Sequence, residues 1–147
     1  MSVQVAVAGE VRRLPIARGR LGRIVRMVLR TEGARDARIS IAFVSPATIA
    51  RLNHRHFGKR RPTDVIAFSF APVTRHSPLV GDIYIAPAIA RANARDFGVG
   101  VREELARLVV HGTLHVLGYD HPADGGRDRS AMWRRQERLL SRALRSR

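Results

Sequence analysis

Three of the six histidines in the chain lie within eleven residues, in the stretch HGTLHVLGYDH. His111 and His115 are four residues apart in the apolar run 105–117, which predicts a helix, and residues at this spacing lie on one helical face. Gly118 is predicted to end the helix, because glycine readily takes the left-handed conformation common just past a helix end. The turn can then bring His121 back to the two other imidazoles. Three neutral imidazoles that meet at one point predict a divalent-metal site, with one Zn²⁺ ion and an open fourth position.

The spacing of these histidines is that of the metzincin protease signature, H-E-x-x-H-x-x-G-x-x-H, with one change. Gly112 stands where the proteases have the glutamate that acts as general base. A glycine inside a helix costs about 1 kcal/mol relative to alanine, which predicts a close approach of another group at this position. The spacing alone leaves a peptide or amide hydrolase open as an alternative, and Gly112 argues against it.

The surroundings of the predicted metal leave several choices open. Structural zinc normally has four protein ligands, so three histidines leave room for water, although Asp82 is an alternative fourth ligand. Asp120 is predicted to orient a ligand imidazole, and its alternative is a solvated turn residue. Ni²⁺ or Mn²⁺ could also occupy three imidazoles, since affinity alone does not select zinc.

The charge of the chain is the second strong signal. Twenty-seven basic residues against twelve acidic ones give a net charge of +15, which favours a polyanionic partner, with nucleic acid ahead of a membrane surface. Lys59 is the only lysine, and compositional bias explains arginine over lysine but not the basic excess. The chain has no cysteine, so thiolate ligands and disulfides are excluded. The absence of a signal-like start or a long apolar run predicts a cytoplasmic protein with no membrane partner.

The pattern of apolar residues predicts one α+β domain over residues 1–147, with a small mixed sheet packed with helices around a central metal-binding helix. Strands are predicted at 3–7, 38–44, 63–70 and 81–86, and the last two form an antiparallel pair with a long loop. Helices are predicted at 15–30, at 45–57, at 87–98, from Val101 through the histidine pair, and at 129–145.

With these residues, the chain resembles the YbeY family of bacterial rRNA maturation factors, which are metal-dependent endoribonucleases. The family pattern H-G-x-L-H-L-x-G-Y-D-H is met throughout the histidine stretch except at Val116, where leucine is usual. Further matches to the family's L-N…P-T-D-V-L-S-F, G-D-I and M…E segments are spread over the chain: Leu52, Asn53, Pro62, Thr63, Asp64, Val65, Phe68, Gly81, Asp82, Ile83, Met132 and Glu137.

The resemblance implies an α+β fold with a zincin-like arrangement and a zinc ion held by His111, His115 and His121. It also implies a role in maturing the 3′ end of small-subunit rRNA and in ribosome quality control. The partners would then be rRNA, the small ribosomal subunit and its associated proteins. From the metal and the charge we expect metal-assisted cleavage of single-stranded RNA.

One position departs from the family pattern. Many members carry an arginine a few residues after the L-N pair, where this chain has Phe57. Neighbouring basic residues are the candidates to supply that charge and to contact RNA: Arg55, Lys59, Arg60 and Arg61. The departure leaves a second alternative open, a non-catalytic ribosome assembly factor that uses zinc for stability.

Overall fold

The computed structural model describes residues 2–59, 63–70, 74, 76–119 and 127–145, with residues 127–130 as backbone only. Within these ranges the chain forms four strands and five helices. In chain order they are β1 (Val3–Ala8), α1 (Arg18–Thr31), β2 (Ala37–Phe43), α2 (Pro46–Phe57), β3 (Val65–Phe70), β4 (Leu79–Ile85), α3 (Pro87–Phe97), α4 (Val101–Val116) and α5 (Arg127–Arg145).

The four strands form one mixed sheet in the order β1-β2-β4-β3. β2 pairs in parallel with β1 and with β4, whereas β3 pairs antiparallel to β4. Alternate residues of β2 are buried, among them Ile39 and Ile41, so one face of the sheet lies against the core. The predicted α+β class and the antiparallel β3–β4 pair are therefore confirmed.

Several element boundaries differ from those expected. The prediction that α1 starts at Pro15 was wrong, because Ala17 is still extended and its carbonyl accepts the first helical hydrogen bonds from Arg20 and Leu21. β4 begins two residues before Gly81, because its pairing follows β2 from its first residue onward. No helix in the described part of the chain is long and apolar enough to cross a membrane.

The helix α2 has the predicted ends. Ser45 caps it by accepting a hydrogen bond from the Thr48 amide at 3.2 Å, and Pro46 occupies the first turn. Gly58 ends the helix with φ of 70°, in the left-handed region. Because the helix ends at Gly58, Phe57 is its last residue and Lys59 follows directly after it.

The helix α4 lies at the centre of the molecule, packed against α1, α3, α5 and the sheet. Its residues are buried on nearly every side, as the all-round apolar pattern predicts. α4 and β4 approach closely, because a Cβ added at Gly81 would overlap the Val116 methyl groups. The histidine pair thus lies on a helix that is largely buried and contacts three other helices and the sheet.

Candidate metal centre

The side chains of His111 and His115 converge on one side of α4, where both are half-buried. Their Nε2 atoms are 3.0 Å apart, and their ring planes are inclined by 71°. Two nitrogens bound tetrahedrally to zinc at about 2.0–2.1 Å would lie about 3.3 Å apart, so this separation suits a shared metal ion. The predicted approach of these two imidazoles is therefore present in the fold.

Gln136 of α5 holds the ring of His111 in place. Its Oε1 atom lies 2.6 Å from His111 Nδ1, and the glutamine side chain is only 3% exposed. Because an amide oxygen is an acceptor, the ring donates from Nδ1, which leaves the lone pair on Nε2, the atom that lies 3.0 Å from His115 Nε2. We did not predict this role from the sequence. The available signal was one polar residue on the apolar face of the last helix.

Gly112 packs on the opposite side of α4, against the sheet. A Cβ added there would lie 2.7 Å from Cγ2 of Ile83 in β4, well inside normal contact distance. The close approach predicted at this glycine is therefore confirmed. The position that carries the catalytic glutamate in metzincins faces the packed core here, where a side chain of the size of glutamate does not fit.

The helix α4 ends next to Gly118, as predicted. Gly118 has φ of 107°, and the Tyr119 amide donates to the Leu114 carbonyl at 3.0 Å, which closes the helix. His121 and Asp120 lie outside the described residues, as do Arg60 and Arg61. Within the described ranges no group of three His, Cys, Asp or Glu side chains could hold a metal ion. The alternative fourth ligand Asp82 is accordingly not grouped with the histidine pair.

The ion pair between Glu32 and Arg135 lies beside Tyr119, the residue that follows Gly118. Glu32, just after α1, accepts from Arg135 Nε and Nη2 at 2.9 and 2.7 Å and from the Tyr119 hydroxyl at 2.9 Å. The hydrogen bonds from Arg135 hold the pKa of Glu32 below its ordinary value of 4.5, although partial burial opposes them. α1, α5 and the residue that follows Gly118 are joined through this one carboxylate.

Two cavities meet at His111. The first, of about 390 Å³, is lined by both histidines, by Phe57 and Lys59 of the α2 end, and by Asp64 before β3. Phe57 is 52% exposed and stacks on Phe68 with ring centroids 6.0 Å apart. The residue that replaces the usual arginine therefore lies at the site itself. Of the two described residues that we predicted to contact RNA, Lys59 lines this cavity and Arg55 does not.

The second cavity, of about 510 Å³, lies on the other side of His111, between α3, α4 and α5. Its wall includes Glu104, which is 3% exposed and accepts from Arg107 Nη1 at 2.7 Å. Burial raises the pKa of the Glu104 carboxyl, although the hydrogen bond from Arg107 acts in the opposite direction. Arg107 also donates to Glu103 and Glu137. Glu137, which matches the glutamate of the family's M…E segment, thus helps to hold this guanidinium.

Residues 11–144 match the family described as Endoribonuclease YbeY. The protein of that name from Pelotomaculum thermopropionicum is 37% identical over 84% of both chains. The one from Syntrophus aciditrophicus is 31% identical over 95% of this chain and 89% of its own. The solution structure of Thermotoga maritima TM1509 is similar with a TM-score of 0.64 and 27% identity, covering 95% of this chain and 89% of that one. The chain belongs to the YbeY endoribonuclease family.

Proposed function

We propose that this protein is a zinc-dependent endoribonuclease that acts in rRNA processing, at the 3′ end of small-subunit rRNA, and in ribosome quality control. The observation that carries the proposal is the convergence of the His111 and His115 Nε2 atoms at 3.0 Å, in a cleft of a chain with a net charge of +15. The family name of the relatives supports the nuclease class.

His111, His115 and His121 would hold the zinc ion, which supplies positive charge beside a phosphate and lowers the pKa of water to about 7. Neutral imidazoles leave the +2 charge of the ion intact, whereas a carboxylate ligand would cancel part of it. This donor set suits a phosphodiester, on which negative charge develops during cleavage. The acidity of the water also reduces the need for a glutamate at position 112.

The other residues of the cleft have distinct tasks in this proposal. Gln136 keeps the Nδ1 proton of His111 in place, so that Nε2 stays available as a ligand. Lys59 supplies positive charge to the phosphate backbone from the end of α2. Phe57 lines the cavity with a half-exposed ring that stacks on Phe68, which suits stacking of an unpaired base.

The two alternatives differ in their support. A peptide hydrolase of the metzincin type needs a carboxylate at position 112, and the contact of Gly112 with Ile83 leaves no room for one. The non-catalytic assembly factor is favoured by one observation, the aromatic Phe57 in the cavity where an arginine is usual. Activity measurements separate it from the nuclease.

The test is cleavage of a precursor-rRNA fragment by the wild-type protein and by His111→Ala and His115→Ala, each with and without a chelator. We expect both substitutions and the chelator to abolish cleavage. His76→Ala, an exposed histidine outside the cleft, is the matched control and should cleave normally. His111→Ala protein with full, metal-independent cleavage would refute the proposal. If chelation lowers the melting temperature, RNA still binds and no preparation cleaves, the protein is an assembly factor.

A further inference from the structure

The cavity of about 510 Å³ beyond His111 has no task in the metal chemistry described above. Its size lies within the range of about 300–1,000 Å³ found for ligand sites. Two large aromatic side chains line it and are nevertheless exposed, Phe97 at 70% and Trp133 at 56%. They project from α3 and α5 on either side of α4. An aromatic pair at the mouth of a cavity suits a flat ligand.

The polar groups of this cavity are unusual for a chain with a net charge of +15. Asp64 and Glu104 contribute two carboxylates, and Arg107 is the one cation among the described lining residues. That guanidinium already donates to Glu104, to Glu103 and to Glu137. The cavity therefore disfavours a phosphate group and favours an uncharged ligand that donates hydrogen bonds to carboxylate oxygens.

A nucleobase has these properties, and RNA in the proposed function carries one next to every phosphate. Its faces stack on aromatic side chains, and its edge can donate N–H groups. One oxygen of each carboxylate is already engaged, since Asp64 Oδ2 accepts from Asn93 Nδ2 at 3.1 Å and Glu104 Oε1 from Arg107 Nη1 at 2.7 Å. Guanine fits best, because its N1–H and N2–H groups lie side by side and can donate to the remaining carboxylate oxygens. Uracil has a single N–H between two carbonyl oxygens, which two carboxylates would repel.

We propose that the cavity lined by Phe97, Trp133, Asp64 and Glu104 is a nucleobase subsite that takes an unpaired base beside the phosphate at the histidine pair, with guanine favoured. His111 lines both this cavity and the one at Phe57, so the base and the phosphate of one RNA strand can occupy adjoining spaces. The inference rests on the proposed function, because it assumes that RNA enters the cleft.

Trp133 is the only tryptophan in the chain, so its fluorescence reports on this cavity directly. The full-length protein would be titrated with hexauridylate, with the same oligonucleotide carrying one guanosine, and with inorganic phosphate. We expect the guanosine oligonucleotide to quench the emission and to bind about tenfold more tightly than hexauridylate, with no quenching by phosphate. Val99→Phe would fill the cavity without replacing any of its polar residues, and it should abolish the difference.

A second variant keeps the test decisive if Val99→Phe does not fold. Phe97→Ala removes an exposed ring from the cavity, and Phe70→Ala removes a similarly exposed ring from β3, away from it. On RNA of random sequence, wild type and Phe70→Ala should prefer guanosine at one position beside the cleaved bond. Phe97→Ala should lose most of that preference while it still cleaves.

The outcomes separate this inference from the proposed function. If the protein cleaves RNA but guanosine changes neither the Trp133 emission nor the cleavage pattern, the subsite is refuted and the nuclease stands. If guanosine-dependent quenching is found and is lost in Val99→Phe, while no preparation cleaves, the subsite stands and the nuclease is refuted. Quenching by an apolar peptide but by no oligonucleotide would overturn the subsite, and the cleavage assay would then decide on the nuclease separately.

Discussion

Replacement of Gln136 tests whether α5 orients His111 for the proposed zinc site. Gln136→Leu removes the acceptor that lies 2.6 Å from His111 Nδ1 and fills the same space with an apolar side chain. Met132, Leu139 and Leu140 lie on the same buried face of α5, so leucine suits its surroundings. We therefore expect the metal-free protein to keep its fold but to lose about 1–3 kcal/mol of free energy of unfolding, because the part-buried Nδ1–H of His111 loses this acceptor.

The zinc affinity should change as well. Loss of the group that orients a ligand imidazole lowers metal affinity about 10- to 100-fold. This hydrogen bond is short, and the glutamine is 3% exposed, so water does not readily replace it. We expect a loss of about 30-fold, which corresponds to about 2 kcal/mol at 1.4 kcal/mol per tenfold change.

The measurement is competition for zinc between the folded protein and a chromophoric chelator, at constant pH and ionic strength. Gln4→Leu, the same substitution at an exposed position of β1, is the matched control and should bind zinc like wild type. Gln136→Glu keeps an acceptor for the imidazole and should restore most of the affinity. A folded Gln136→Leu protein whose zinc affinity is within twofold of wild type would show that α5 does not orient His111.

Two further predictions concern the support of the site. Gly112→Ala should lower the free energy of unfolding by about 1 kcal/mol in chemical denaturation, because contact with Ile83 costs about 1–3 kcal/mol and helix propensity returns about 1 kcal/mol. Glu32→Gln should lower it by about 1–2 kcal/mol at pH 7, through its bonds with Arg135 and Tyr119 and with allowance for solvent screening. Since the folded pKa of Glu32 is lowered, this difference should be complete above about pH 4.5 and disappear as the pH falls through the folded pKa.

Matched variants control both measurements. Gly19→Ala adds a Cβ at a helical position with only ordinary contacts, so it should not destabilise the protein. A Gly112→Ala protein more stable than wild type would mean that α4 does not lie tightly on β4. Tyr119→Phe removes one hydrogen bond to Glu32 but no charge. It should therefore lower the free energy of unfolding by less than Glu32→Gln does, at every pH at which Glu32 is ionised. An effect of Glu32→Gln that is the same at pH 3 and pH 7 would contradict the ionic role of this carboxylate.

Much of the fold was predictable because its signals are local. Ser45, Pro46 and Gly58 set the ends of α2 through contacts within a few residues, and these ends are where we predicted them. The spacing of His111 and His115 places both imidazoles on one helical face in any fold that keeps the helix. The start of α1 could not be located in this way, because Pro15 is compatible both with a first helical turn and with the extended segment that is found.

The sequence by itself determined the helix, the shared face of its two histidines and the family to which the chain belongs. Tertiary structure alone decided what surrounds them, since those contacts join residues far apart in the chain. Gln136 reaches His111 across 25 residues, and Glu32 reaches Arg135 across 103. No periodicity encodes such pairs, because they depend on how α1, α4 and α5 pack together. The same packing turns Gly112 towards the sheet and leaves the cavity beside His111 open.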